Sequence, residues 1–494
     1  MPFTVPCANT VPDAPESACS VLVDPGLTTP SAAHVSMLRL VKAFLSPGST
    51  LNGASGRSIQ RYRRAALTGC TSILAKLVVL FTTIVSVPLT YRYLGADRYG
   101  LWMTITSFVL FLGFADLGVG NGLAAGISEA NGRDDVALAQ RQVTCGFFML
   151  LFLGCAIGLL LAAVFPFVRW GSLYGTTSAL ANHEAGPATA VLILCTALSM
   201  PLGTVLRVQL GYQQGYLGDL WNAGGNALAL VGIILATHLG GGLPLLVCAV
   251  AGAPVLITTA NWLVQFFYVR PWLRPRFALF DSTAAMQLAA VGGLFFLQQC
   301  FGLIYYVSDN LVIARSMGAT EVARYAVLQR IFSIGLVSQY FMVPLWPAMG
   351  EAIARQDFGW AYRIVRRAMG LSVGLGAVCA ALLLASSRYL MKRWSGIDVG
   401  SIDSLRIGFA LWVVLVGYIA AMNAILNQPG VMRRHLVLFG SAALASLALK
   451  IAFARHGSLA GVVWGTVIGY GVIYVVPAAL LAFRSVSINE GVSA

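Results

Sequence analysis

Lys76, Asp116, Asp309 and Arg330 stand out in this chain because each interrupts a long apolar run. A charge at mid-bilayer costs at least about 2.5–3.5 kcal/mol, so such a side chain faces protein or water and finds a partner. Lys76 and Asp116 fall at matching depth on two antiparallel apolar runs. They read either as a structural ion pair, or as a cavity cation that contacts phosphate on a substrate with its counter-charge, or as a lysine that snorkels. Asp309 and Arg330 form a second candidate pair towards the opposite face. A guanidinium binds phosphate in bidentate fashion, while Asp309-Asn310 could hold that guanidinium or stabilise a bend. Arg207 and Asp219 flank a short turn and read as interfacial anchors.

The elements that must position these charges are membrane spans. Hydrophobic residues make up 58% of the 494 residues and charged ones only 10%, against about 45–50% and about 25% in soluble domains. The net charge of +14 resides mostly in arginines between apolar runs, which argues against nucleic acid as a partner. The fold class expected is an all-α integral membrane protein with about 12 transmembrane helices, at 67–90, 99–124, 143–168, 187–209, 219–239, 243–268, 287–312, 322–346, 367–387, 404–427, 434–453 and 459–483.

Residues 1–64, rich in proline and small polar residues, read as a disordered cytoplasmic tail, and the start is either Met1 or Met37. Nineteen Lys and Arg residues fall on the side of that tail and eleven on the other, which places both termini in the cytoplasm. The polar hinge Tyr91–Gly100 joins the first two runs, and Asp116-Leu117-Gly118-Val119-Gly120 closes the second. The hinge returns: Tyr93-Leu94-Gly95-Ala96-Asp97-Arg98-Tyr99 is echoed by Ser316-Met317-Gly318-Ala319-Thr320-Glu321-Val322-Ala323-Arg324-Tyr325, at an offset of 223 to 226 residues. Two six-helix lobes of the same orientation follow, 65–280 and 281–494, as parallel repeats around a central cavity. Gly461, Gly465 and Gly469 put one small-residue face on the last span for close helix packing.

Catalytic signals are missing. None of the four lysines follows a glycine, so there is no phosphate-binding loop. The nine cysteines contain no CxxC, and seven lie in or beside apolar runs, where they read as small core residues. Neither a metal, a cofactor nor an enzyme activity is expected.

The hinge Leu94-Gly95 with Tyr99-Gly100-Leu101-Trp102, the Asp116-Leu117-Gly118-Val119-Gly120 ending, and Ser308-Asp309-Asn310-Leu311-Val312-Ile313 with Gly318 and Tyr325 resemble the polysaccharide flippases of the multidrug/oligosaccharidyl-lipid/polysaccharide (MOP) superfamily. The Wzx-type exporters are the branch most similar, over about residues 65–484. The resemblance implies a flippase of the bacterial inner membrane that moves an undecaprenyl-pyrophosphate-linked oligosaccharide to the periplasmic leaflet for exopolysaccharide, capsule or O-antigen. Its partners would be that polyprenyl-pyrophosphate substrate, membrane lipid, and polysaccharide polymerase and export proteins. Two rivals stay open. One is a cation-coupled multidrug exporter of the same superfamily, disfavoured because the first helix carries Lys76 and no carboxylate. The other is a membrane glycan polymerase or ligase, which would bring a longer outer loop than 169–186.

The orientation is testable. In a Cys-free background, single cysteines at Ser172 and Ser401 should react with an impermeant thiol reagent added to intact cells, and one at Ala137 should stay unlabelled. Labelling at 137 would invert the topology.

Overall fold

In the computed structural model, which describes residues 54–112, 114–174, 178–394 and 403–490, every regular element is helical. Eleven helices among the described residues are long and apolar enough to cross a membrane, and each coincides with an expected span. The other expected span, 99–124, is divided. Its first part ends the helix α1 (Ala54–Leu112), a turn follows at Phe114–Gly118, and α2 (Val119–Gly132) completes it. The tail expected over 1–64 lies outside the described residues up to 53, whereas residues 54–64 form the opening turns of α1.

Next come α3 (Val136–Val164), α4 (Ala179–Leu202), the short α5 (Thr204–Gly211), α6 (Gly215–His238) and α7 (Leu243–Val269). The second half contains α8 (Ser282–Met317), α9 (Ala319–Ser333), α10 (Leu345–Ala354), α11 (Phe358–Trp394), α12 (Asp403–Leu426), α13 (Met432–Arg455), α14 (Leu459–Tyr470) and α15 (Val476–Glu490).

The sequence repeat is a backbone repeat. Gly95 breaks α1 at φ 74°, ψ 174°, and Gly318 separates α8 from α9 at φ 91°, ψ 172°. A Cβ makes that region costly, so both positions use glycine. Further along, Asp134 and Gln356 both take positive φ, 53° and 60°. Each precedes an aspartate that caps the next helix: Asp135 accepts from Leu138 N at 2.9 Å, and Asp357 from Trp360 N at 3.3 Å.

Two lobes result, with separate cores. One core runs from Tyr305 to Ala482, and two more occupy the first half. The start of α8 contributes Ala284 and Leu288 to the first half, so this helix ties the lobes together. The glycine face of the last span packs as the i, i+4 spacing predicts. A Cβ at Gly465 would lie 2.8 Å from Lys450 N and one at Gly469 2.8 Å from Ser446 Cα, so α13 and α14 touch along their backbones. The cysteines divide: Cys145 is buried, but Cys70, Cys155 and Cys248 sit on the outer surface rather than in a core. Lipid solvates a thiol as readily as a core does, so apolar surroundings alone do not fix which way it faces.

Gly95→Ala and Gly318→Ala should each lower the thermal midpoint of the purified protein, at a cost of about 1–3 kcal/mol. Gly100→Ala, where a Cβ meets nothing within 4 Å, is the control and should be near neutral. Equal midpoints for all three would show that the hinges relax without strain.

Candidate functional site

A polar cavity of about 560 Å³ opens in the first lobe, lined by Ser72, Asp116, Arg207, Asp219 and Asn222 among others, with Val343 reaching in from the second lobe. Val343 also walls a smaller cavity of about 180 Å³ bordered by Gln339, Asn423 and Asn427. The two cavities therefore adjoin across the lobes.

Asp116 sits in the turn that divides the second span and accepts a hydrogen bond from Gly118 N at 2.9 Å. Its charged neighbour is Arg207, at 3.9 Å, and Arg207 also donates to Asn121 Oδ1 at 2.8 Å. The expected Lys76–Asp116 pair is thus not formed. Lys76 is exposed on α1, with its ammonium 5.8 Å from the Tyr340 ring and within Coulombic reach of Asp219. Equal depth did not bring the two together: Asp116 sits in a turn beside Arg207, and the Lys76 ammonium lies towards Tyr340 of the second lobe. Arg207 and Asp219, read as interfacial anchors, line the cavity instead. Arg207 lies on the short α5, which continues the span of α4 beyond Gly203. Asp219 accepts from Ser72 Oγ at 2.5 Å and from Thr71 Oγ1 at 3.4 Å, which ties α6 to α1. The available signal was the Pro201-Leu202-Gly203 break followed by Arg207, Gln209, Gln213 and Gln214, a polar stretch that no lipid-facing helix needs.

The second expected pair is also exchanged. Asp309 is buried and pairs with Lys450 Nζ at 2.6 Å, and it accepts from Tyr325 OH at 2.6 Å. Lys450, one of the eleven charges that the sequence places on the side away from the tail, has 0% exposure because α13 continues to Arg455 and leaves it inside the second lobe. It donates to Tyr305 O and Ser308 Oγ, both at 3.2 Å. Arg330 is exposed and meets no carboxylate among the described residues.

Below the cavity the lobes meet in a polar seam. Arg61, two turns before the cavity residue Thr68 on α1, is buried and donates to Asp357 at 2.8 Å and to Glu351 at 3.4 Å. Glu351 also accepts from Arg355 Nε at 2.9 Å and from Gln213 of the first lobe. Arg355 grips Asp134 with two hydrogen bonds of 2.6 Å, and Asn131 O at 2.9 Å, so α10 is held to α2. Those bonds, first from Asp134 and then from Glu351, hold the Arg355 guanidinium above its usual pKa. Ser128 Oγ donates to Pro347 O at 2.5 Å. The seam was not foreseen, although Glu351 and Arg355 lie one helical turn apart as an i, i+4 pair.

Removing Lys450 alone strands a buried carboxylate, which typically costs about 3–5 kcal/mol. Lys450→Ala should therefore accumulate poorly and melt early, and Lys450→Leu with Asp309→Leu should regain most of the loss. A Lys450→Ala protein as stable as the parent would mean the pair is idle.

Similar proteins agree with this architecture. Residues 69–353 match the family model described as polysaccharide biosynthesis protein. A Salmonella typhi protein described as "Putative O-antigen transporter" is 20% identical over 420 residues, covering 83% of this chain and 94% of that one. Among solved structures, a MATE transporter in the bent conformation aligns at TM-score 0.77 and 17% identity, over 88% of this chain and 97% of its own. A MOP superfamily transporter from Pyrococcus furiosus, reported with a binding pocket of reversed polarity, aligns at TM-score 0.74 and 16% identity, over 87% and 97%. At such identities the structures speak for the fold: two lobes of membrane helices. With more than half its length matched by the family model, the chain belongs to the polysaccharide biosynthesis protein family, and its eleven described helices long and apolar enough to span a bilayer make it a multi-pass membrane protein.

Proposed function

We propose that the chain flips an undecaprenyl-pyrophosphate-linked oligosaccharide repeat unit from the cytoplasmic to the periplasmic leaflet of a bacterial inner membrane, by alternating access. The observation that carries the reading is the cavity itself, where Arg207 stands beside Ser72, Asp219 and Asn222 directly above a seam that joins the lobes. A guanidinium suits the pyrophosphate, and carboxylates and amides accept and donate to sugar hydroxyls. The lipid tail needs no site of its own, because it never leaves hydrocarbon. Family membership and the relative described as an O-antigen transporter support the same substrate class.

The positive-inside bias puts the seam on the cytoplasmic side. The structure then corresponds to a state closed to the cytoplasm, and loading requires the lobes 65–280 and 281–494 to part there. Opening would break Arg355–Asp134, Arg61–Glu351 and Gln213–Glu351 while sparing the Asp309–Lys450 pair, which lies within one lobe. Lys76, with no carboxylate of the described residues within 4 Å of its ammonium, is a second cation available to substrate as the lobes move. Asp309, held by Lys450, then positions helices within the second lobe, Arg330 is an exposed cation of α9 that substrate or the moving lobes could meet, and polymerase and export proteins act downstream.

A second reading, a cation-coupled multidrug exporter, is favoured by one specific feature: two carboxylates, Asp116 and Asp219, face the same cavity. Both readings are separable in cells. Deleting the gene should abolish a surface or secreted polysaccharide while its lipid-linked unit persists on the cytoplasmic leaflet. Arg207→Ala should accumulate and cut export at least ten-fold, with Arg207→Lys restoring part of it. Normal polysaccharide in the deletion strain, with raised sensitivity to cationic drugs, would sink the flippase and favour the exporter.

A further inference from the structure

On the seam side of the second lobe, α13, α15 and the turn before α13 enclose another concavity, of about 830 Å³. Val437, Leu438, Pro477, Leu480 and Leu481 make its walls, and Arg434 and Arg484 stand at its rim. Among the described residues no carboxylate lines it. Both arginines are exposed, and neither guanidinium pairs with a carboxylate among the described residues. Val437 and Leu480 are 71% and 52% exposed, so the walls face the hydrocarbon rather than a neighbouring helix. The opening is thus apolar where it meets lipid and doubly cationic where the bilayer ends.

We propose that this groove binds one phospholipid with an anionic headgroup, its phosphate held between Arg434 and Arg484 and one acyl chain laid along Val437, Leu480 and Pro477. The rim charges are complementary to a phosphodiester, and arginine combines weak hydration with a planar fork suited to two phosphate oxygens. From Arg484 to Pro477 the wall of α15 rises about 10 Å, at 1.5 Å per residue. That is shorter than an acyl chain, so the occupant stays anchored in the bilayer, unlike a soluble anion. Among anionic amphiphiles, the phospholipids that make up the leaflet occupy such a site by mass action ahead of a scarce polyprenyl carrier. Ile353 also lines the groove. It lies on α10 between Glu351 and Arg355, so a bound lipid touches the helix that carries the seam. The inference does not depend on what the central cavity transports.

The test is native mass spectrometry of the full-length protein released from mixed micelles of phosphatidylglycerol and phosphatidylcholine. The parent should retain one phosphatidylglycerol per chain, with at least ten-fold preference over phosphatidylcholine. Arg434→Gln with Arg484→Gln should reduce retention about ten-fold. Val437→Trp, which fills the groove and keeps both arginines, should reduce it several-fold. Arg433→Gln, a neighbouring arginine outside the lining, should leave retention unchanged. Equal retention by the double variant overturns the proposal. Loss with the arginine changes but not with Val437→Trp, or displacement by inorganic phosphate, reduces the site to simple anion attraction and overturns it too. Displacement of phosphatidylglycerol by equimolar undecaprenyl phosphate would replace the proposed occupant with the polyprenyl carrier.

Discussion

Hydrocarbon tolerates neither an unpaired charge nor an unpaired backbone group, and the architecture follows from how this chain meets that demand. Two of the charges carried deep into a lobe find their partners on a different helix. Lys450 on α13 reaches Asp309 on α8, and Arg98 after the first hinge grips Glu184 on α4 through two bonds of 2.7 Å. For these partners to meet, backbones must approach closely. The glycines of α14 let α13 sit against it at Lys450 itself.

The two halves share a backbone plan and spend their side chains differently. After Gly95, Arg98 crosses to Glu184 and staples the hinge to another helix; after Gly318, Arg324 pairs, among the described residues, with Glu321 one turn back, at 3.0 Å and near the surface. An exposed i, i+3 pair contributes little. The first half therefore fixes its hinge through tertiary contacts, and the second fixes its helices through the buried lysine pair. The polar cavity lies mostly in the first lobe, while the largest continuous apolar core lies in the second.

The seam differs from both. Arg61 and Glu351 are buried, but Asp134 is 71% exposed on its side chain, and water can take over its half of the Arg355 bond. Such a junction closes without being permanent: the partly hydrated pairs cost little to break, while the buried ones set the register when the lobes return. That balance suits a transporter, in which neither end state should be too deep.

The sequence by itself determined what depends on counting along the chain. The places of the spans along the chain, the hinges at Gly95 and Gly318, the repeat, and the glycine face of α14 are one-dimensional signals, set by about 1.5 Å of rise per residue and by which residues tolerate positive φ. Depth in the membrane is of this kind too, and Lys76 and Asp116 were matched by it. Partner choice is not. A helix turns about 100° per residue, so an error of two residues in phase reverses the direction of a side chain, and neighbouring helices are set by packing that no single stretch encodes. Only the tertiary structure brought Arg207 and Asp219 to the cavity, gave Asp116 to Arg207, gave Asp309 to Lys450, and left Lys76 and Arg330 exposed without a carboxylate partner among the described residues.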